Sequence, residues 1–153
     1  MGADMNGIDE AYVRENFGQI WPRHVGTLTW LLIECRRHFD GDLDQFLILA
    51  VIGDRTFAAN NAPKDLTYEK FAKEGVGAIE VEKINQQSIA DFSGIPRETV
   101  RRKIAQLIDK GWVERRPSGS YAATVKARTD LAPLTEKSMR YLVSMAKALS
   151  DPL

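Results

Sequence analysis

Apolar residues recur every three to four positions from Ile8 to Phe39, and this period predicts helices, with Pro22 marking a break or a fresh start. Within that stretch Leu28, Leu31, Leu32 and Cys35 share a face, and Arg36 and Arg37 suit a helix C-terminus, where cations complement the dipole. Phe39-Asp40-Gly41-Asp42 reads as a turn. From Leu43 to Ala59 a second helix is predicted, capped by Asp42. Phe46, Leu47, Leu49, Ala50 and Val51 make it apolar nearly all round, which suits the centre of a core.

Asn60-Asn61-Ala62-Pro63 ends that helix. A short helix is expected from Leu66 to Lys73, followed by a loop at Gly75-Val76-Gly77. That glycine pair lacks a following Lys-Ser/Thr and does not make a phosphate cradle. After residue 84 the punctuation sharpens. Asn85 caps a short helix through Phe92, with Ile89 and Phe92 as its apolar side. Ser93-Gly94-Ile95 forms a tight turn around a glycine suited to the left-handed region. Pro96 opens a new helix that runs to about Lys110 and stops at Gly111. Trp112–Arg116 and Tyr121–Val125 alternate as short strands around Pro117-Ser118-Gly119-Ser120, a hairpin. An amphipathic helix closes the chain from Leu134 to Leu149, with Met139, Leu142, Val143, Met145 and Ala146 expected on its inner side.

Short helix, glycine turn, longer helix and hairpin, in that order, make the layout of a winged helix-turn-helix. The expected fold is mainly α with a small β-hairpin wing, an α+β class, in a single domain over 1–153. Its parts are N-terminal helices at 8–39, a winged core at 43–125 and a C-terminal helix at 134–149. The core carries a recognition helix at 96–110 and a wing at 112–125.

The recognition helix must offer one face to a core and another to DNA. Val100, Ile104, Leu107 and Ile108 supply the first. Glu98, Arg102 and Gln106, each four residues apart and flanked by Thr99 and Lys103, supply the second, with Arg97 and Arg101 adding charge around the first two turns. Arginine forks match guanine O6 and N7, glutamine pairs with adenine, and glutamate accepts from cytosine N4. Lys103, Lys110, Arg115 and Arg116 suit phosphates, and Ser118 and Ser120 make the wing compact enough to approach the backbone.

Charge distribution reinforces this reading although the 153-residue chain is net neutral. Residues 1–83 carry 9 Lys/Arg against 14 Asp/Glu, a net −5, whereas residues 84–128 carry 9 against 4, a net +5. Clustered charge, more than total charge, builds the local potential that attracts phosphates. A composition 44% hydrophobic and 27% charged is that of a globular protein and argues against disorder. The longest apolar run, Phe46–Ile52, is far below the roughly 20 residues that span a bilayer. The start of the chain, two acids and no Lys or Arg before Glu10, is unlike a secretory or mitochondrial address, and one cysteine excludes an internal disulfide, so a cytoplasmic location is expected.

Two resemblances add to this. Ser88-Ile89-Ala90-Asp91-Phe92-Ser93-Gly94-Ile95-Pro96-Arg97-Glu98-Thr99-Val100-Arg101-Arg102 resembles the helix-turn-helix of the cyclic-AMP receptor family. There an Arg-Glu-Thr-Val-x-Arg string opens the recognition helix, which implies base-reading roles for Arg97, Glu98 and Arg102. The helical N-terminal part departs from that family, because it has no β-roll for a cyclic nucleotide. The whole layout is similar to the MarR family of dimeric bacterial regulators, on Leu43-Asp44-Gln45-Phe46-Leu47-Ile48-Leu49 and on Ile104–Arg116 ending Gly111-Trp112-Val113-Glu114-Arg115-Arg116. That resemblance implies a homodimer formed by the first and last helices. A long 63–83 connection and a short wing at Gly119 are departures from the pattern.

The expected function is thus sequence-specific binding of double-stranded DNA by a homodimeric transcription regulator. Two recognition helices about one DNA turn apart would read a pseudo-palindromic site. The rival is a winged-helix protein-interaction module without DNA binding, and a monomeric replication-initiator or phage-type binder is a third reading. No enzyme activity, cofactor or metal is expected. His24 and His38 lack partners at metal-ligand spacing, and Asp40, Asp42 and Asp44 lack the glycine and terminal glutamate of a calcium loop. Cys35 reads as a buried side chain, with a redox switch as the alternative if Arg36 or Arg37 stabilised its thiolate. Phe17, Trp21, Trp30 and Phe46 suit either an effector pocket between winged part and dimer helices or plain core packing.

Overall fold

A computed structural model describes residues 7–59, 62–75 and 84–151, without the side chains of 58 and 59. In chain order its elements are α1 (Glu10–Glu15), α2 (Phe17–His38), α3 (Leu43–Ala59), α4 (Tyr68–Glu74), α5 (Gln86–Ser93), α6 (Arg97–Asp109), β1 (Val113–Arg115), β2 (Tyr121–Ala123), α7 (Val125–Asp130) and α8 (Ala132–Ser150). They form two compact units: the described residues of 1–38 with those of 133–153, and the described residues of 39–132.

In the first unit α2 and α8 run antiparallel, tied by Glu34 to Lys137, while the Tyr12 hydroxyl of α1 donates to the Leu149 carbonyl near the end of α8 at 2.8 Å. The expected break at Pro22 is absent: Pro22 lies inside α2. Proline has no N–H to give the Gly18 carbonyl, and both residues are exposed, so that acceptor is open to solvent. The break falls instead at Asn16, whose backbone N–H and side-chain amide both donate to the Tyr12 carbonyl and so close α1.

Two apolar stripes of this unit face outward. On α2, Phe17, Trp21, Val25 and Leu32 follow one another at helical spacing and are all exposed. On α8, Leu142 is 63% and Val143 54% exposed, while Leu134 and Ala148 are buried. Of the inner side expected for the last helix, Leu142, Val143 and Ala146 are thus exposed, whereas Met139 and Met145 are half-buried and Met145 faces Thr27 of α2.

The second unit is the winged one. Central α3 packs against α5, α6 and β2. Its expected all-round burial is only partial: Ile48, Val51 and Ile52 are buried, but Leu43 and Leu47 are exposed. Around it Phe39, Ile89, Ile95, Val100, Ile104, Leu107, Val113 and Tyr121 complete the core. The two strands are antiparallel, with Val113 opposite Ala123 and Arg115 opposite Tyr121, and the Tyr121 N–H donates to the Ile84 carbonyl at 2.9 Å. Past the wing, α7 is a helix that hydrophobic periodicity did not indicate. Thr124 caps it, accepting from the Ala127 N–H at 3.1 Å while its hydroxyl donates to the Gly111 carbonyl at 2.6 Å. The 76–83 part of the expected connection lies outside the described residues.

Candidate nucleic-acid interface

The helix-turn-helix is held by local bonds legible in its side chains. Asn85 accepts from the Ser88 N–H at 2.9 Å and the Ser88 hydroxyl faces back to the Asn85 backbone, a reciprocal cap that fixes the start of α5. α5 ends on Gly94 at φ 74°, whose N–H donates to the Ala90 carbonyl. A side chain at that angle would be strained, so the sharp turn into α6 depends on glycine. α6 then ends in a Schellman pattern, with the Gly111 N–H donating to Ile108 and the Trp112 N–H to Leu107. Gly111 sits at φ 75°, and a Cβ there would meet the Lys126 side chain at 3.0 Å.

This geometry divides α6 into two faces. Val100, Ile104 and Leu107 are buried, Ile104 at 1% and Leu107 at 0% exposure. Ile108, expected in the same stripe, is exposed. On the other side Arg97, Glu98, Arg101 and Arg102 all face solvent, with Thr99 half-buried beside them. Arg101 Nη2 donates to Glu98 Oε1 at 2.6 Å and its Nε donates to the same carboxylate. That bond holds the Glu98 carboxyl below its ordinary range and raises Arg101, so both remain charged. Arg97 and Arg102 are the exposed guanidinium groups flanking this pair.

Lys103 and Gln106 stand differently. Lys103 pairs with Asp42 at the start of α3, and its side chain is only 16% exposed. Gln106 is exposed, yet its Oε1 accepts from the Gln45 amide at 2.6 Å. Burial pushes the Asp42 carboxyl up, but the Lys103 ammonium and the Gln45 N–H outweigh it, and the net shift is downward. Both residues therefore tie the reading helix to α3. Asp42 and Gln45 take part in this anchor without having been singled out for it. Asp42 was legible as a helix cap, but its partner lies 61 residues away.

Of the wing residues, Arg115 and Ser118 are exposed, Arg116 and Ser120 half-buried. The turn closes through Arg116 N–H to the Ser120 carbonyl and Gly119 N–H to the Arg116 carbonyl, each 2.8 Å, with Gly119 at φ 84°. The Ser118 and Ser120 hydroxyls bond each other at 2.8 Å. Lys110 lies over the Trp112 ring at 4.7 Å and 3.3 Å from Asp40, so this cation is already engaged.

This arrangement has a counterpart among known proteins. Residues 65–134 match the Crp-like helix-turn-helix domain. The match covers α4 to the start of α8, less than half of the chain, and contains α5, α6 and the wing. Residues 65–134 are thus similar to a helix-turn-helix domain of DNA-binding transcription regulators, a likeness that points to a regulator rather than an enzyme. No curated protein and no solved structure gives a significant match.

The other candidates fall outside the exposed face of α6. Cys35 is buried in α2, and desolvation pushes its thiol up, which opposes the stabilised thiolate that a redox switch requires. Phe17 and Trp21 stack on each other on α2 at 5.1 Å, whereas Phe46 packs edge-on against Phe39 in the winged unit. His24 lies 3.4 Å from the Tyr141 hydroxyl and His38 2.8 Å from the Glu34 carbonyl. Among the described residues no three metal-ligating side chains converge and no helix is long and apolar enough to cross a membrane.

Proposed function

We propose that the protein is a homodimeric transcription regulator that reads a specific double-stranded DNA sequence with the exposed face of α6. The observation that carries this reading is the opposition on one helix of a buried apolar stripe and a solvent-facing Arg97-Glu98-Arg101-Arg102 surface, inside a Crp-like helix-turn-helix. In this reading Arg97 and Arg102 contact guanine edges and Glu98, pre-set by Arg101, accepts from cytosine. Thr99, Arg115, Arg116, Ser118 and Ser120 contact the sugar–phosphate backbone, with Gln106 at the edge of the reading surface. Lys103 contributes by fixing the height of α6 on α3 and, through its partial exposure, by adding to the positive field.

The dimer is inferred from the outward apolar stripes on α2 and α8. A soluble protomer rarely leaves so many large apolar side chains at helical spacing in water unless a partner covers them. Flanking helices that pair protomers around a central winged unit follow the arrangement of the MarR family, and a two-fold pair would read a pseudo-palindromic site in the cytoplasm.

The test is fluorescence anisotropy on mixed random duplex DNA at several salt concentrations. Micromolar binding that weakens steeply with salt is the expected result. No binding at low salt would sink the reading in favour of a protein-interaction module. Once a specific site is selected, Arg102→Ala should cost about 1–3 kcal/mol on that site and relax one base position. An equal loss on random DNA would remove Arg102 from base reading.

A further inference from the structure

Within the winged unit lies a cavity of about 530 Å³ between α3, α4, the wing and α7. That size is typical of a small-molecule site. One wall is aromatic: the Phe57 and Phe71 rings lie 5.2 Å apart, tilted by 36°. On another side stands Arg128 of α7, part-buried, with its guanidinium 5.9 Å from the Phe71 ring centre. Gly75, at φ 70°, backs this guanidinium so closely that a Cβ there would lie 3.0 Å from Nη1.

Arg128 is the unusual feature. Among the described residues its Nε, sealed from solvent, has no hydrogen-bond partner and its guanidinium makes no ion pair. The two carboxylates that line the cavity, Glu74 and Glu114, are exposed and stay solvated. A buried N–H left without an acceptor is costly, so an acceptor brought by a ligand is favoured there. Among the described residues, Gly75 and the Phe71 ring pack against the guanidinium. A carboxylate is the group whose geometry matches an arginine fork. We infer that this cavity binds a small organic carboxylate with a flat apolar body, the carboxylate on Arg128 and the body against Phe57 and Phe71.

The site is also placed to regulate. Arg116 and the β2 residues Ala122 and Ala123 line the same cavity, so an occupant touches the wing from behind. Occupancy then changes how Arg116 meets phosphate, which is a coupling between ligand and DNA of the ordinary kind. This second step rests on the DNA-binding reading; the binding site itself does not.

The experiment uses the full chain and phenylacetate as probe, with neutral phenylacetamide and cationic phenethylamine as controls, followed in ¹H–¹⁵N spectra that include the arginine Nε–H signals. Phenylacetate should shift the Arg128 Nε–H and the Gly75 and Val125 amides saturably, with a dissociation constant on the order of 1 mM for so small a ligand. The two controls should not, and Arg128→Met should abolish the response. A response absent at tens of millimolar, equal for the amide, or confined to other residues overturns the site. If Arg128→Met does not fold, the wild-type map with its controls decides alone. Saturating phenylacetate should also change the affinity for duplex DNA severalfold at constant ionic strength, and an unchanged affinity overturns the regulatory step. A protein that takes up phenylacetate but no DNA would sink the regulator reading and leave the site; one that binds DNA without responding to phenylacetate would do the reverse.

Discussion

α6 and α8 are both amphipathic helices with an apolar stripe written at the same period, but they spend that stripe differently. In α6 the stripe of Val100, Ile104 and Leu107 is sealed inside the winged unit, which leaves the charged face free. In α8 the stripe through Leu142 and Val143 faces solvent. Periodicity reports that a helix has two faces; it does not report whether the apolar one is covered by its own chain. For α6 the cover is α3 and α5, supplied in cis. For α8 the proposed cover is a second copy. One helix is therefore a matter of stability and the other of concentration.

The contrast can be broken at several points. Ile104→Ala empties a fully packed site and should lower the unfolding free energy by about 3 kcal/mol, read from urea denaturation. A loss under 1 kcal/mol would mean that the α6 stripe is not the core it looks to be. Leu142→Glu should weaken the dimer about a hundredfold by light scattering, about 2.7 kcal/mol, while unfolding of the monomer changes little. Were the wild type a monomer at tens of micromolar, or the variant as dimeric as wild type, the exposed stripe would need another explanation.

Lys103→Met separates anchor from interface. Removing the ammonium leaves the half-exposed Asp42 carboxylate without its main partner and should cost about 2 kcal/mol of stability at neutral pH. The sign with pH follows from the direction of the Asp42 shift. Because the folded carboxyl is held below its unfolded value of about 3.9, the pair stabilises above that pH and ceases to as pH falls through the folded value. The gap between wild type and variant should thus close below about pH 4. A gap that persists in acid would assign the effect to packing of the lysine stem. Smallest in stability terms is Arg116→Ala, which should leave unfolding within about 0.5 kcal/mol and reduce the slope of log affinity against log salt by about one. An unchanged slope would take Arg116 off the phosphates.

Much of the reading unit was legible because its signals are local. Asn85, Gly94, Pro96 and Gly111 act on bonds within four or five residues, so each announces its element boundary directly. The exposed arginines of α6 followed from the same helical period that buried Ile104. Where long-range contacts decide, the reading thinned. The ties of Lys103 to Asp42 and of Gln106 to Gln45 each span 61 residues. Phe92, expected on the apolar side of α5, is 56% exposed and carries the Arg55 guanidinium over its ring at 4.6 Å. α7 escaped notice because six residues are too few to develop a periodic stripe, and Thr124 as its cap is visible only once the strand before it is placed.

By itself the sequence determined the mainly helical class, the turn geometry of the helix-turn-helix, the hairpin and the concentration of positive charge between 84 and 128. These follow from backbone preferences and from charge along the chain, which act over a few residues. Only the tertiary structure decided which cations stay exposed, which face of α8 meets solvent, and that the Arg128 Nε is buried near Phe71 with no partner among the described residues. Those outcomes depend on what segments distant in sequence bring alongside, since burial and ion pairing are properties of neighbours in space.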